Sequence, residues 1–233
     1  MRYLIPLMDE PFIKRYVKTE NLHYLDQVSK EGRGVVLMGG HLGNYHLSVN
    51  ALRIMGYPVT MIKGGSPRRP KYPKIQYYDQ THNTIFTHAP SFQKDFKQRM
   101  VETLKSGGII YHPGGDAAEG RVKESTLFFG MEMGFPTAVV HLAHQANAAI
   151  LPFIHFYQRG EITLIFKEPI DDHWKRGEEE YRRVVKEFAN ILESYITTYP
   201  EQYMGIYGPT LLAHSYRSHQ NKNNMRGEER EKK

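Results

Sequence analysis

No cysteine occurs among the 233 residues of the chain. That excludes a disulfide framework, thiolate zinc sites and a cysteine nucleophile. Long apolar runs are also missing: no uncharged, continuously apolar run approaches the roughly 20 residues of a membrane-spanning helix. The opening "MRYLIPLM" is apolar, but Pro6 and Asp9 cut it short of a signal h-region or a span. These absences predict a soluble or peripheral protein with no transmembrane anchor in this chain. Negative charge is in modest deficit, 25 Asp and Glu against 31 Lys and Arg, for a net charge of +6. A basic surface suits nucleic acid, anionic lipid head groups or phosphorylated substrates, and charge alone does not choose among them. No nucleic-acid-binding motif accompanies it, so nucleic acid is not an expected partner.

What is present alternates between strand and helix patterns. Leu22, Leu25 and Val28 recur at helical spacing and predict a helix over 19–30 with Thr19 as its N-cap. "GVVLMGG" is a short apolar run rich in β-branched residues between glycines, the signature of a buried strand. A helix with Leu47, Leu52 and Met55 on one face follows and stops at Gly56, and "PVTMIKG" reads as the next strand. Strand, glycine loop, helix and strand make a βαβ unit. Further on, 91–108 reads as a helix closed by Gly107, "GIIYHPGGD" as a strand entering a loop, and a helix after Pro136 leads to a strand from Ala149. "EITLIFKEPI" is another strand. A long amphipathic helix then carries Val184, Phe188, Ile191, Leu192 and Tyr195 on its apolar stripe. The expected architecture is one α/β domain over 1–213, a mixed, largely parallel central sheet flanked by helices. Residues 214–233 form a basic tail with almost nothing to bury, expected to be disordered.

Two segments carry candidate chemistry. In "GVVLMGGHLGNYHLSV", residues 34–49, His41 stands at the carboxyl end of a buried strand, where open α/β sheets place their sites. A histidine, with a reference pKa near 6.5, suits proton abstraction from a hydroxyl or amine. Gly39, Gly40 and Gly43 are expected to let backbone approach a ligand closely. The other reading of His41 is a structural loop histidine. In "IIYHPGGDAAEGRVKESTLFFG", residues 109–130, a second strand enters a glycine loop bearing Asp116, Glu119, Arg121 and Lys123. This loop would flank His41 if the two strands are neighbours. Arg121 and Lys123 suit a phosphate or carboxylate. Phe128, Phe129 and Gly130 suit the wall of an acyl-chain site, or else a core segment. His41, His46, His112 and Asp116 match no metal-ligand spacing, so no metal is expected. His141 and His144 share one face of a mostly apolar helix and read as packed or hydrogen-bonded. The basic, tyrosine-rich stretch near 68–74 suits an anionic membrane surface.

In order, "GRGVVLMGGHLGNYHL", the 105–153 stretch from "LKSGGIIYHPGGD" to "AAILPF", and "YPEQYMG" resemble the lipid A late acyltransferases, the lauroyl and myristoyl transferases. That family lies within the lysophospholipid acyltransferase superfamily. The resemblance implies a glycerolipid-acyltransferase-like α/β fold. It implies transfer of a fatty acyl group from an acyl thioester, on acyl carrier protein or coenzyme A, to a hydroxyl or amine of a lipid or glycolipid. No cofactor beyond that co-substrate is implied. By the same resemblance His41 is the general base, Gly40 and Asn44 lie at the substrate beside it, and Arg121 binds a phosphorylated group. The setting implied is cytoplasmic, peripheral on the inner face of the membrane. The chain departs from the family's pattern in lacking a longer anchored N-terminal part. It also lacks the tryptophan and arginine that follow P-E-Q. Above all, the family's H-x4-D/E reads H-x4-H here, with His46 in the carboxylate's place. A carboxylate orients the base and stabilises the imidazolium, whereas a neutral histidine orients without supplying charge. Three outcomes follow: His46 orients, Asp116 or Glu119 substitutes, or the chemistry is lost and a lipid- or acyl-chain-binding module remains.

Overall fold

The computed structural model describes residues 7–63, 84–86, 96–113, 123–175 and 179–204. The basic stretch near 68–74, the loop residues Asp116, Glu119 and Arg121, and the tail 214–233 lie outside these. The strands are β1 (Val17–Glu20), β2 (Val35–Met38), β3 (Val59–Lys63), β4 (Thr84–Phe86), β5 (Ile109–His112), β6 (Lys123–Phe128), β7 (Met131–Pro136), β8 (Ala149–Gln158) and β9 (Glu161–Phe166). The helices are α1 (Glu10–Tyr16), α2 (His23–Lys30), α3 (Tyr45–Ile54), α4 (Phe96–Lys105), α5 (Ala138–Ala146) and α6 (Glu179–Thr198).

Seven strands form one sheet in the order β1-β9-β8-β2-β5-β3-β4, and β6 and β7 pair separately. Every neighbouring pair in the large sheet is parallel except the β8–β9 hairpin. Parallel strands covered on both faces need apolar residues throughout, and all four residues of β2 are buried. Alternate residues feed two cores. Val35, Leu37, Tyr111, Leu151 and Phe153 pack on one face with Leu47 and Leu52 of α3 and Leu25 of α2. Val36, Met38, Ile110, Ile150 and Ile154 pack on the other with α4, α5, α6 and the β6–β7 hairpin. Val184, Phe188, Leu192 and Ile196 give α6 its buried stripe. Each such side chain stabilises by about 1.5–3 kcal/mol relative to exposure.

The structure corrects one local expectation and gives form to another. The helix predicted over 19–30 starts at His23, and Thr19 does not cap it. Thr19 stands opposite Leu164 in the parallel pairing of β1 with β9. β1 is an edge strand with three exposed polar residues, so it carries no apolar alternation to read. The stretch 123–136, whose Phe128, Phe129 and Gly130 read as an acyl-site wall or a core segment, folds as a hairpin with Phe128 and Phe135 in the core. Phe129 and Gly130 turn it with φ of 51° and 74°, the left-handed pair a two-residue hairpin turn requires. The Phe129 N–H donates to Glu193 Oε2 on α6 at 2.7 Å, which helps to hold an aromatic residue in that conformation.

Candidate functional site

Met38 ends β2 in register with His112 of β5 and Pro152 of β8. The chain then leaves the sheet through Gly39, Gly40, His41, Leu42 and Gly43, so His41 emerges at the carboxyl ends of adjacent parallel strands. β5, the strand that ends at His112, is the direct neighbour of β2. The glycines are required by the packing of the turn itself. A Cβ on Gly39 would lie 2.7 Å from the Tyr111 hydroxyl, and one on Gly40 2.8 Å from a Leu192 methyl. Gly43 has φ of 67° and would strike the carbonyl of His155. Each glycine lets the turn settle onto the sheet and α6.

A distant segment locks this turn. After α6, Pro200–Gln202 makes a single helical turn. Tyr199 stacks on Phe156 at 4.1 Å between centroids. Leu42 and Tyr203 form an isolated antiparallel bridge. The Gly43 N–H donates to Gln202 O at 2.9 Å, and the Met204 N–H donates to His41 O at 2.7 Å. The Gln202 amide imitates one more strand residue against β8. Its Nε2 donates to Tyr157 O at 2.7 Å, and its Oε1 accepts the Tyr157 N–H at 2.8 Å.

These elements surround a cavity of about 590 Å³ lined by His41, Gly43, Asn44, Tyr45, His46, Tyr157, Glu201, Gln202 and Met204. Asn44 is the N-cap of α3, its side-chain oxygen accepting from the Leu47 N–H. That cap sets where the helix begins, and so places Tyr45 and His46 in its first turn. His46 is 4% exposed, with its ring 4.3 Å from that of Tyr45. Beneath the turn the Tyr111 hydroxyl pairs with His155 Nε2 at 3.0 Å, both side chains buried. Burial pushes the His155 pKa down to about 3, so this ring is neutral at physiological pH.

His41, His46 and Asn44 therefore share one cavity, as the motif implied. Gly40 is close by but packed on α6. Phe128 is fully buried, with its ring against Phe129 and Phe135. Phe128, Phe129 and Gly130 belong to the hairpin on α6 and do not line the cavity. Lys123 opens β6. His144 Nδ1 pairs with the Tyr181 hydroxyl at 2.6 Å, the hydrogen-bonded role expected of it. Among the described residues no group of three or more His, Asp or Glu is arranged to hold a metal ion. Tyr157, Glu201, Gln202, Met204 and the buried His155 were not expected at the site. The signal was present in "YPEQYMG", a proline-stopped helix end followed by polar and aromatic residues, and in the lone histidine of "PFIHFY".

Comparison with known proteins bears on this arrangement. A family described as "Bacterial lipid A biosynthesis acyltransferase" matches residues 2–207. No curated protein sequence matches the chain. Among solved structures, a 1-acyl-sn-glycerophosphate acyltransferase, PlsC, from Thermotoga maritima superposes with a TM-score of 0.52 over 85% of this chain and 80% of its own, at 15% identity. At that identity the likeness speaks to the fold, a mostly parallel sheet flanked by helices.

Proposed function

The chain belongs to the bacterial lipid A biosynthesis acyltransferase family, and from that premise we propose that it transfers a fatty acyl group from an acyl thioester to a hydroxyl or amine of a lipid or glycolipid. The observation that carries this reading is His41 itself, lining a roomy cavity at the carboxyl end of a parallel strand. His41 takes the acceptor's proton as the acceptor oxygen or nitrogen attacks the thioester carbonyl. The tetrahedral intermediate collapses, its carbon–sulfur bond breaks, and the thiolate leaves with the proton from the imidazolium. The products are an acyl ester or amide and a free thiol, with no acyl-enzyme between. The donor is acyl carrier protein or coenzyme A, serving as co-substrate with no further cofactor.

No helix among the described residues is long and apolar enough to cross a membrane. We place the protein at the inner, cytoplasmic membrane face, held by the basic residues near 68–74, with 1–213 acting as one domain. Incubation with long-chain acyl-coenzyme A or acyl carrier protein and a lipid acceptor should release free thiol. His41→Ala should lower that rate by about 10³-fold or more. Thiol release indifferent to this substitution would overturn the assignment. The buried His46 in the motif's carboxylate position favours a second reading, a lipid- or acyl-chain-binding module without turnover. That reading predicts liposome binding that survives His41→Ala and no thiol release from the unaltered protein.

A further inference from the structure

β8 outlasts its neighbour in the sheet. β2 stops at Met38, opposite Pro152, while β8 runs on to Gln158 with β9 along one edge. The strap 199–204 is referenced to that extension at two points. Tyr199 stacks on Phe156, and the Gln202 amide takes both the N–H and the carbonyl of Tyr157. Gly43 lies against His155 and Phe156 of the same extension. The backbone of the His41 turn is held at alternate residues. The Gly39 N–H donates to His112 O at 2.9 Å, within the sheet. The strap supplies two further bonds: the Met204 N–H donates to His41 O at 2.7 Å, and the Gly43 N–H donates to Gln202 O at 2.9 Å. Leu42 lies between them, 1% exposed and bridged to Tyr203. His41 is thus held through its own carbonyl and through the two residues that follow it, while its side chain lines the cavity. A ring goes where its peptide unit points it, and a displacement of about 1 Å in a reacting group can cost about a hundred-fold in rate.

We infer that Gln202 is a positioning residue for His41. By clamping the strap to β8 it sets the two backbone bonds that fix the His41 peptide unit, and with them the aim of the ring. It acts through backbone and not on the reacting atoms. This rests on the acyltransferase reading, and the two fail separately. Gln202→Met keeps the side chain's length and removes both of its bonds to Tyr157. Met204→Pro removes the N–H that His41 O accepts, and Met204→Ala retains it, so the difference between them isolates that bond. Tyr203, with φ of −82° and ψ of 116°, already has the extended backbone that precedes a proline. In Gln202→Met the Gly43 and Met204 amides exchange with solvent about ten-fold faster, while those of Val36 and Ile150 keep their protection. The NMR signal of the His41 Cε1–H shifts or broadens. In turnover kcat falls about ten-fold with KM within about two-fold of its original value, and Met204→Pro falls below Met204→Ala by a similar factor. Unmoved Gly43 and Met204 amides overturn the proposal. So does an unmoved His41 signal, whether or not thioesters are turned over, because the strap is then merely structural. Absence of His41-dependent thiol release overturns the acyltransferase reading, while the His41 signal still decides the role of Gln202.

Discussion

The two ends of the central sheet spend their polar groups in opposite ways. At the amino ends of β2 and β8, Arg33 Nη2 pairs with Asp171 Oδ2 at 2.6 Å, and Arg33 Nε donates to Asn147 O at 3.3 Å. Asp171 is 1% exposed and also accepts the Ile150 and His173 N–H groups. Trp174 Nε1 donates to Ala148 O at 2.8 Å. A cleft of about 260 Å³ there is lined by Arg33 and Asp171, already committed to each other. At the carboxyl ends, His41, His46 and Glu201 converge instead on a cavity more than twice that volume. One end uses charge to pin loops together. The other holds backbone with backbone and with Gln202 around the cavity. A buried ion pair is therefore no guide to the site here, and a half-buried histidine is.

This contrast can be broken by substitution. Asp171→Ala strands the Arg33 charge, which is 12% exposed, and should cost about 3–5 kcal/mol of unfolding free energy in urea titrations. Turnover per folded molecule should be unchanged. A loss of turnover at full stability would erase the division of labour between the ends.

The next largest effect lies under the site and is set by pH. The His155 pKa is depressed in the folded protein to about 3, against about 6.5 in the unfolded chain. The unfolded chain therefore binds the extra proton, and stability falls as pH drops below about 6.5. Denaturation at pH 5 should show a loss of about 2 kcal/mol relative to pH 7 from this group alone. His155→Gln should flatten that slope, and a slope unaltered by the substitution would assign it elsewhere.

The smallest stability effect sharpens the contrast most. Gln202→Ala removes two hydrogen bonds to the exposed Tyr157 backbone, which water can replace, so it should cost no more than about 1 kcal/mol. Turnover should still fall roughly ten-fold, because the segment carrying Glu201 loosens from the His41 turn. Thermal melts alongside thiol-release assays check both halves of that expectation.

How far the molecule is legible in its residues depends on how locally each part is specified. β2, α3, β3, β8 and α6 declare themselves by continuous or periodic apolar residues, because each buries a face whose spacing follows from the element's geometry. β1 escapes because an exposed edge strand needs no apolar residues. The β6–β7 hairpin escapes because its turn uses Phe129–Gly130 rather than an asparagine–glycine pair, and depends on Glu193 of α6 to hold it.

The site divides along the same line. His41 and His46 lie five residues apart around one strand end and one helix start, so chain connectivity alone brings them to the same place. Asn44 follows from the same local rule, since a helix beginning at Tyr45 needs a cap. Glu201, Gln202, Tyr157 and Met204 come to the His41 turn through long-range contacts: the Leu42–Tyr203 bridge, the backbone bonds of Gly43 with Gln202 and of His41 with Met204, and the stacking of Tyr199 on Phe156. No spacing in the chain encodes those contacts, because they exist only once α6 has packed its stripe against the sheet. His41 and His46 are thus written in one short stretch of the chain, while the carboxylate that lines the same cavity is brought there by folding.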